Sequence, residues 1–182
     1  MNYQIISADC HIDLPWLPED LFTNEAENHF KDRMPFVSET EKGRFWVSRN
    51  GAQFGLQNGM GSAGRTYVPG QIHRSDRMAE QGLYRDGELG IPRLTDPKLR
   101  IKDQDLDGVQ AEVIYGVLGA STRLNDDDAA SELLRIYNEW LAAFCEVAPD
   151  RFAGLASIPS HDVDAAITEV SRVAKRGSLR GI

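Results

Sequence analysis

The alternation of apolar and polar residues changes character at Pro92. Beyond it, apolar positions recur with helical and strand periods in turn. Residues 96–107 read as a polar helix stopped at Gly108, and residues 111–117 as a buried strand. Asn125 and the run Asp126, Asp127, Asp128 supply a cap and negative charge for a helix start, where exposed amides and the helix dipole favour both. On that helix Leu133, Tyr137, Trp140, Leu141, Phe144 and Ala148 recur at three- and four-residue steps along one face, up to Pro149. Residues 152–158 are the next strand. Ser160 or Asp162 caps a further helix whose Val163, Ile167, Val170 and Ala174 face the core and which stops at Gly177, and residues 179–182 open another strand.

The chain before Pro92 is less regular. Residues 3–8 read as a buried strand that runs into the polar cluster Asp9, Cys10, His11, Ile12, Asp13. Residues 14–92 carry most of the glycine and proline, too long a stretch for a plain loop, and are expected to form an inserted, loop-rich lobe. Within it a hairpin is expected where residues 44–48 and 52–56 flank Asn50 and Gly51. Strands alternating with helices of this length imply crossover connections and a parallel sheet, so the class is α/β.

Composition narrows the partners. Of 182 residues, 41% are hydrophobic and 26% charged, the balance of an ordinary globular domain. Basic residues number 20 against 28 acidic ones, and the net charge of −8 argues against a nucleic-acid surface, which needs clustered Lys and Arg in excess. No apolar run approaches the ~18 residues of a membrane span, and the first residues lack the basic segment and apolar core of a secretion signal, so the expected compartment is the cytoplasm. Cys10 and Cys145 have no CxxC spacing and read as reduced thiols.

Few residues carry a chemical signal. Asp9, His11 and Asp13 alternate, so on an extended strand end their side chains project from one face, and an imidazole with carboxylates is a divalent-metal half-site. The same residues also serve as capping or hydrogen-bonding groups at a strand end. Gly59, Gly61 and Gly64 fit G-x-G-x-x-G, yet Pro69 and the lack of a helical period after them favour a flexible turn over a dinucleotide site. Cys10 has no local partner that marks a nucleophile. His161 follows a strand at the edge where α/β enzymes place their chemistry, and reads as a substrate contact or a cap. Asn138 could reach a substrate or pack between helices. Arg44, Arg49 and Arg65 could clamp a carboxylate or be surface charges.

Three segments together resemble a known family: IISADCHIDLP at 5–15, RIKDQDLDGVQAEVIYGVLG at 100–119, and YNEWLAAFCEVAPDRFAGLASIP at 137–159 followed by an amphipathic helix and LRGI. They look like the amidohydrolase-related family that includes aminocarboxymuconate semialdehyde decarboxylase and the hydroxybenzoate-type decarboxylases. The resemblance implies a parallel (β/α) barrel of TIM type with one divalent ion, zinc or manganese, at its mouth. His11 matches the first-strand histidine ligand and Asp9 an acidic ligand position. Asp13 stands where other members carry the second histidine of an H-x-H pair, a departure that hardens the site and admits magnesium. The implied activity is metal-dependent decarboxylation or hydrolysis of a small carboxylated, aromatic substrate, in a homodimer. A barrel needs roughly 200 to 250 residues. The strands counted here reach about four of eight, so the expectation is an amino-terminal half, with the late-strand aspartate and further histidine ligands beyond Ile182. The alternative from another class is a non-catalytic α/β binding or scaffold domain of the same fold.

Overall fold

The computed structural model describes residues 3–41, 43–58, 80–117 and 119–182. In chain order its elements are β1 (Ile6–His11), α1 (Leu21–Glu25), β2 (Phe36–Thr40), β3 (Gly43–Val47), β4 (Gln53–Leu56), α2 (Leu83–Glu88), α3 (Pro97–Asp107), β5 (Ala111–Tyr115), α4 (Ala120–Arg123), α5 (Asp127–Glu146), β6 (Phe152–Leu155), α6 (Val163–Val173) and β7 (Leu179–Gly181). Strands β1, β5, β6 and β7 pair in that order, all parallel, which bears out the α/β class. The four form an open sheet.

Local chemistry explains where the helices begin and end. Asp96 accepts from the amides of Lys98 and Leu99 at the start of α3, Pro97 occupies its first position, and Gly108 ends it with a left-handed φ of 70°. Asp126 caps α5 through the Ala129 amide, and Asp162, not Ser160, caps α6 through that of Ala165. The apolar face of α5 is the centre of the core: Leu133, Tyr137 and Leu141 are each 0% exposed, packed with Ile114 and Phe152 of the sheet. Full burial of such side chains stabilises by about 1.5–3 kcal/mol each.

Three expectations need correction. Strand β1 starts later than residue 3 and continues through the polar cluster to His11; Ile5 and Ile6 are 54% and 51% exposed, and among the described residues β1 is an edge strand beside β5. Strand β6 ends at Leu155, short of residue 158. In α6, Val163 and Ile167 are 74% and 58% exposed and Ala174 is exposed as well, so the stripe expected to face the core faces outward. The buried side of α6 carries Val173 and a polar group: Glu169 is paired with Arg172 and hydrogen-bonded to Asn138 of α5.

The described part of residues 14–92 contains a three-stranded antiparallel sheet, β2-β3-β4, in which the expected hairpin of β3 and β4 is extended by β2. Its Trp46 and Phe54, with Phe22 and Met34, join the same buried cluster as Ile114, Leu133 and Phe152. This segment therefore completes the core. Among the described residues no helix is long and apolar enough to cross a membrane.

Candidate functional site

The polar cluster sits at the carboxyl end of β1, and two backbone features place it there. A bulge between Ser7 and Cys10 shifts the pairing of β1 with β5, after which His11 stands opposite Tyr115. From that point the period of two holds: Cys10, Ile12 and Leu14 are buried, while Asp9, His11 and Asp13 lie on the opposite side and are partly or fully exposed. The bond from the Ile12 amide to the Tyr115 carbonyl carries the pairing one residue past the strand.

Both imidazole nitrogens of His11 face carboxylates. Nε2 lies 2.9 Å from Asp9 Oδ1, and Nδ1 lies 3.6 Å from Asp13 Oδ2, an ion-pair contact rather than a hydrogen bond. The Tyr115 hydroxyl donates to the same Asp9 Oδ1 at 2.6 Å, and its ring lies 4.5 Å from the imidazole, tilted by 52°. The hydrogen bond to Asp9 holds the Tyr115 phenol above its ordinary range, with desolvation adding to it. Asp13 Oδ1 is buried and has no hydrogen-bond partner.

These contacts bring the three expected metal residues together around one ring but not around one point. Asp9 and Asp13 occupy opposite edges of the imidazole, and among the described residues no three His, Cys, Asp or Glu side chains form a metal-holding group. The Nε2 edge carries a hydrogen bond to Asp9 Oδ1, and its length is also one that two ligand atoms of a small cation would show. Two ligand atoms at right angles, each 2.0–2.1 Å from a small divalent cation, lie roughly 3 Å apart, and Nε2 and Asp9 Oδ1 are 2.9 Å apart.

Beneath the cluster the loop after β5 is tightly constrained. A Cβ at Gly116 would lie 2.0 Å from the Ile12 carbonyl oxygen and 2.6 Å from the Tyr137 hydroxyl, so only glycine fits. The next residue, Val117, is buried at φ 49°, a left-handed conformation that costs a β-branched residue about 1–3 kcal/mol.

The remaining candidates lie elsewhere. Asn138 is 1% exposed; its amide donates to Ser157 O at 2.9 Å and to Glu169 Oε1 at 2.6 Å, and its oxygen accepts from the Ser157 amide at 2.8 Å. It ties the loop after β6 to α5 and α6. His161 is exposed in the loop before α6. Arg44 pairs with Glu19 and Glu39, and Arg49 with Asp32. Both cysteines are free and buried; burial pushes the Cys145 thiol up to about 11 and raises that of Cys10, which lies 3.0 Å from the Ser7 hydroxyl. Gly59, Gly61, Gly64, Arg65 and His73 lie outside the described residues. Tyr115 and Tyr137 were not among the expected site residues. The signal for Tyr115 is its place as the last residue of a buried strand that pairs with β1.

No family model matches the chain, and no curated protein matches its sequence. Solved structures do match it. An amidohydrolase from Mycobacterium avium subsp. paratuberculosis K-10 superposes on 97% of the chain with a TM-score of 0.69 at 21% identity. The chain shares its fold with an amidohydrolase. It spans 48% of that protein's length. A 2,6-dihydroxybenzoate decarboxylase from Rhizobium matches 99% of the chain, with a TM-score of 0.50 and 19% identity, over 38% of its own length. A structure of 2,6-dihydroxybenzoate decarboxylase with 2,6-dihydroxybenzoate bound matches 45% of the chain and 25% of its own, at 32% identity and a TM-score of 0.42, too partial to bear on the fold.

Proposed function

We propose that the chain carries the first-strand part of a divalent-metal site in a decarboxylase or hydrolase of the amidohydrolase class that acts on a small carboxylated substrate. The observation that carries this reading is the 2.9 Å pair of His11 Nε2 and Asp9 Oδ1, at the carboxyl end of the first parallel strand in a fold shared with an amidohydrolase. Asp9 and His11 would hold the ion, manganese, magnesium or zinc, and the carboxylate-rich surroundings favour the harder two. When bound, the ion supplies Lewis acidity toward a substrate carboxylate or phenolate.

The chain's own residues do the rest of what is assigned here. Tyr115 donates to Asp9 and holds its carboxylate against the imidazole. Asp13 faces Nδ1 and would favour a proton there once an ion took the place of the hydrogen that Nε2 shares with Asp9. The remaining ligands and the acid that delivers a proton to the substrate are assigned to strands following β7 in a longer protein.

The expected result is that such a longer protein, stripped of metal and then resupplied with manganese or zinc, releases carbon dioxide from a hydroxybenzoate or acid from a lactone. His11→Ala abolishes this turnover, and the 182-residue chain shows none. Turnover by the 182-residue chain alone contradicts the reading. The rival is a non-catalytic binding or scaffold domain of the same fold. The rival predicts that metal resupply yields no product from either substrate class.

A further inference from the structure

Helix α5 reaches the carboxyl ends of three strands through two neighbouring residues. Asn138 bonds the segment after β6, as described above. Tyr137, one residue earlier, is 0% exposed, and its hydroxyl lies 2.6 Å from the position of a Gly116 Cβ that would itself be 2.0 Å from the Ile12 carbonyl. The phenol oxygen is thus wedged between the end of β5 and the peptide that joins Ile12 to Asp13.

Among the described residues, two buried polar atoms here have no hydrogen-bond partner: Tyr137 Oη, which can donate, and Asp13 Oδ1, which can only accept when ionised. Buried polar groups are almost always paired, and leaving both unmade incurs two desolvation penalties where one bond would remove both. Burial holds the Tyr137 phenol in its protonated, donating form, and the Asp13 charge is the largest electrostatic influence on it after desolvation.

We propose that Tyr137 is a positioning residue for Asp13: its hydroxyl donates to Asp13 Oδ1, directly or through one enclosed water, and so fixes the carboxylate that faces His11 Nδ1. This rests on the reading of His11 and Asp9 as metal donors, and adds a support reaching from the core helix to the imidazole. Because Tyr137 is wholly buried among core residues, the orientation of the His11 ring is set from within the core.

The test uses the 182-residue chain, with manganese alone as the probe. In proton NMR of the metal-free chain, one slowly exchanging hydroxyl resonance is expected that disappears in Tyr137→Phe and shifts in Asp13→Asn. Tyr137→Phe is expected to weaken manganese binding about tenfold, the usual effect of removing an outer partner of a metal ligand, and to add no further loss in an Asp13→Ala background. A hydroxyl resonance unmoved by Asp13→Asn overturns the proposal, since the phenol then serves the Ile12 carbonyl. Full manganese affinity in Tyr137→Phe, with thermal stability lowered, also overturns it and leaves a packing role. If Asp9→Ala and His11→Ala leave manganese binding unchanged, the metal reading fails instead, and the pairing of Tyr137 with Asp13 is decided by the hydroxyl resonance alone.

Discussion

Helices α5 and α6 carry the same kind of apolar stripe and meet opposite fates. In α5 the stripe is the core, with Leu133, Tyr137 and Leu141 wholly buried. In α6 the stripe of Val163 and Ile167 points outward, and the face turned to α5 is ionic: Arg172 pairs with Glu169 and Glu139, Arg176 also reaches Glu139, and Glu169 receives the Asn138 amide. A periodic stripe specifies which side of a helix is apolar. Whether that side is buried depends on what stands opposite, and opposite α6 the described residues supply charges on one side and no cover on the other.

The sharpest way to break this contrast is a matched pair of truncations. Leu141→Ala should cost about 2–5 kcal/mol in urea unfolding, because it opens a cavity in a filled core, whereas Ile167→Ala should stay within ~0.5 kcal/mol. Equal costs at the two positions would mean that the α6 stripe is covered in solution. Next in size, Asn138→Ala should cost about 1–3 kcal/mol, since it leaves the Ser157 amide without its acceptor and removes one of the donors to Glu169, which keeps Arg172. Denaturant midpoints at neutral pH provide the check.

A smaller effect comes from the start of α5. Asp126→Ala should cost about 1 kcal/mol through the lost cap. The Arg33 guanidinium, with help from the Ala129 amide, holds the Asp126 carboxyl below its ordinary 3.8. A depressed folded-state value means that the contribution is complete above 3.8 and fades as pH falls through the lower folded value. The stability difference between wild type and Asp126→Ala should therefore shrink on acidification, and a difference that grows would contradict the cap assignment. Smallest of all, Ile167→Gln should leave the unfolding midpoint within ~0.5 kcal/mol of wild type, as for a surface position; calorimetry of the purified chain measures it.

The same contrast explains what could be read from the sequence. The helix α5 was legible because its period, its acidic cap and the sheet it covers all agree. The outward stripe of α6 was not, because the ionic face depends on Glu139 and Asn138 of another helix, which periodicity within α6 does not contain. Strand β1 runs past its expected end because the polar cluster, which reads as a strand stop, continues the pairing with β5 through His11 beyond the bulge between Ser7 and Cys10. Strand β2 escaped notice because its residues Phe36–Thr40 are half apolar and half polar, with no turn signal of their own.

At the site, the shared face of Asp9, His11 and Asp13 follows from their spacing. Their division between the two edges of the imidazole does not, since it depends on Tyr115, a residue brought alongside only by the β1–β5 register. Asn138 illustrates the reverse error: a polar residue on a long helix suggested a substrate contact, and in the fold its hydrogen bonds go to the backbone of Ser157 and the Glu169 side chain.

Titrating the metal-free chain with manganese, and following the free ion by electron paramagnetic resonance, probes the proposed metal-holding pair of His11 Nε2 and Asp9. The account predicts saturable binding of one ion by the wild type and affinity reduced at least about tenfold in both Asp9→Ala and His11→Ala. Binding that is unchanged in both variants, with the chain still folded, would contradict it.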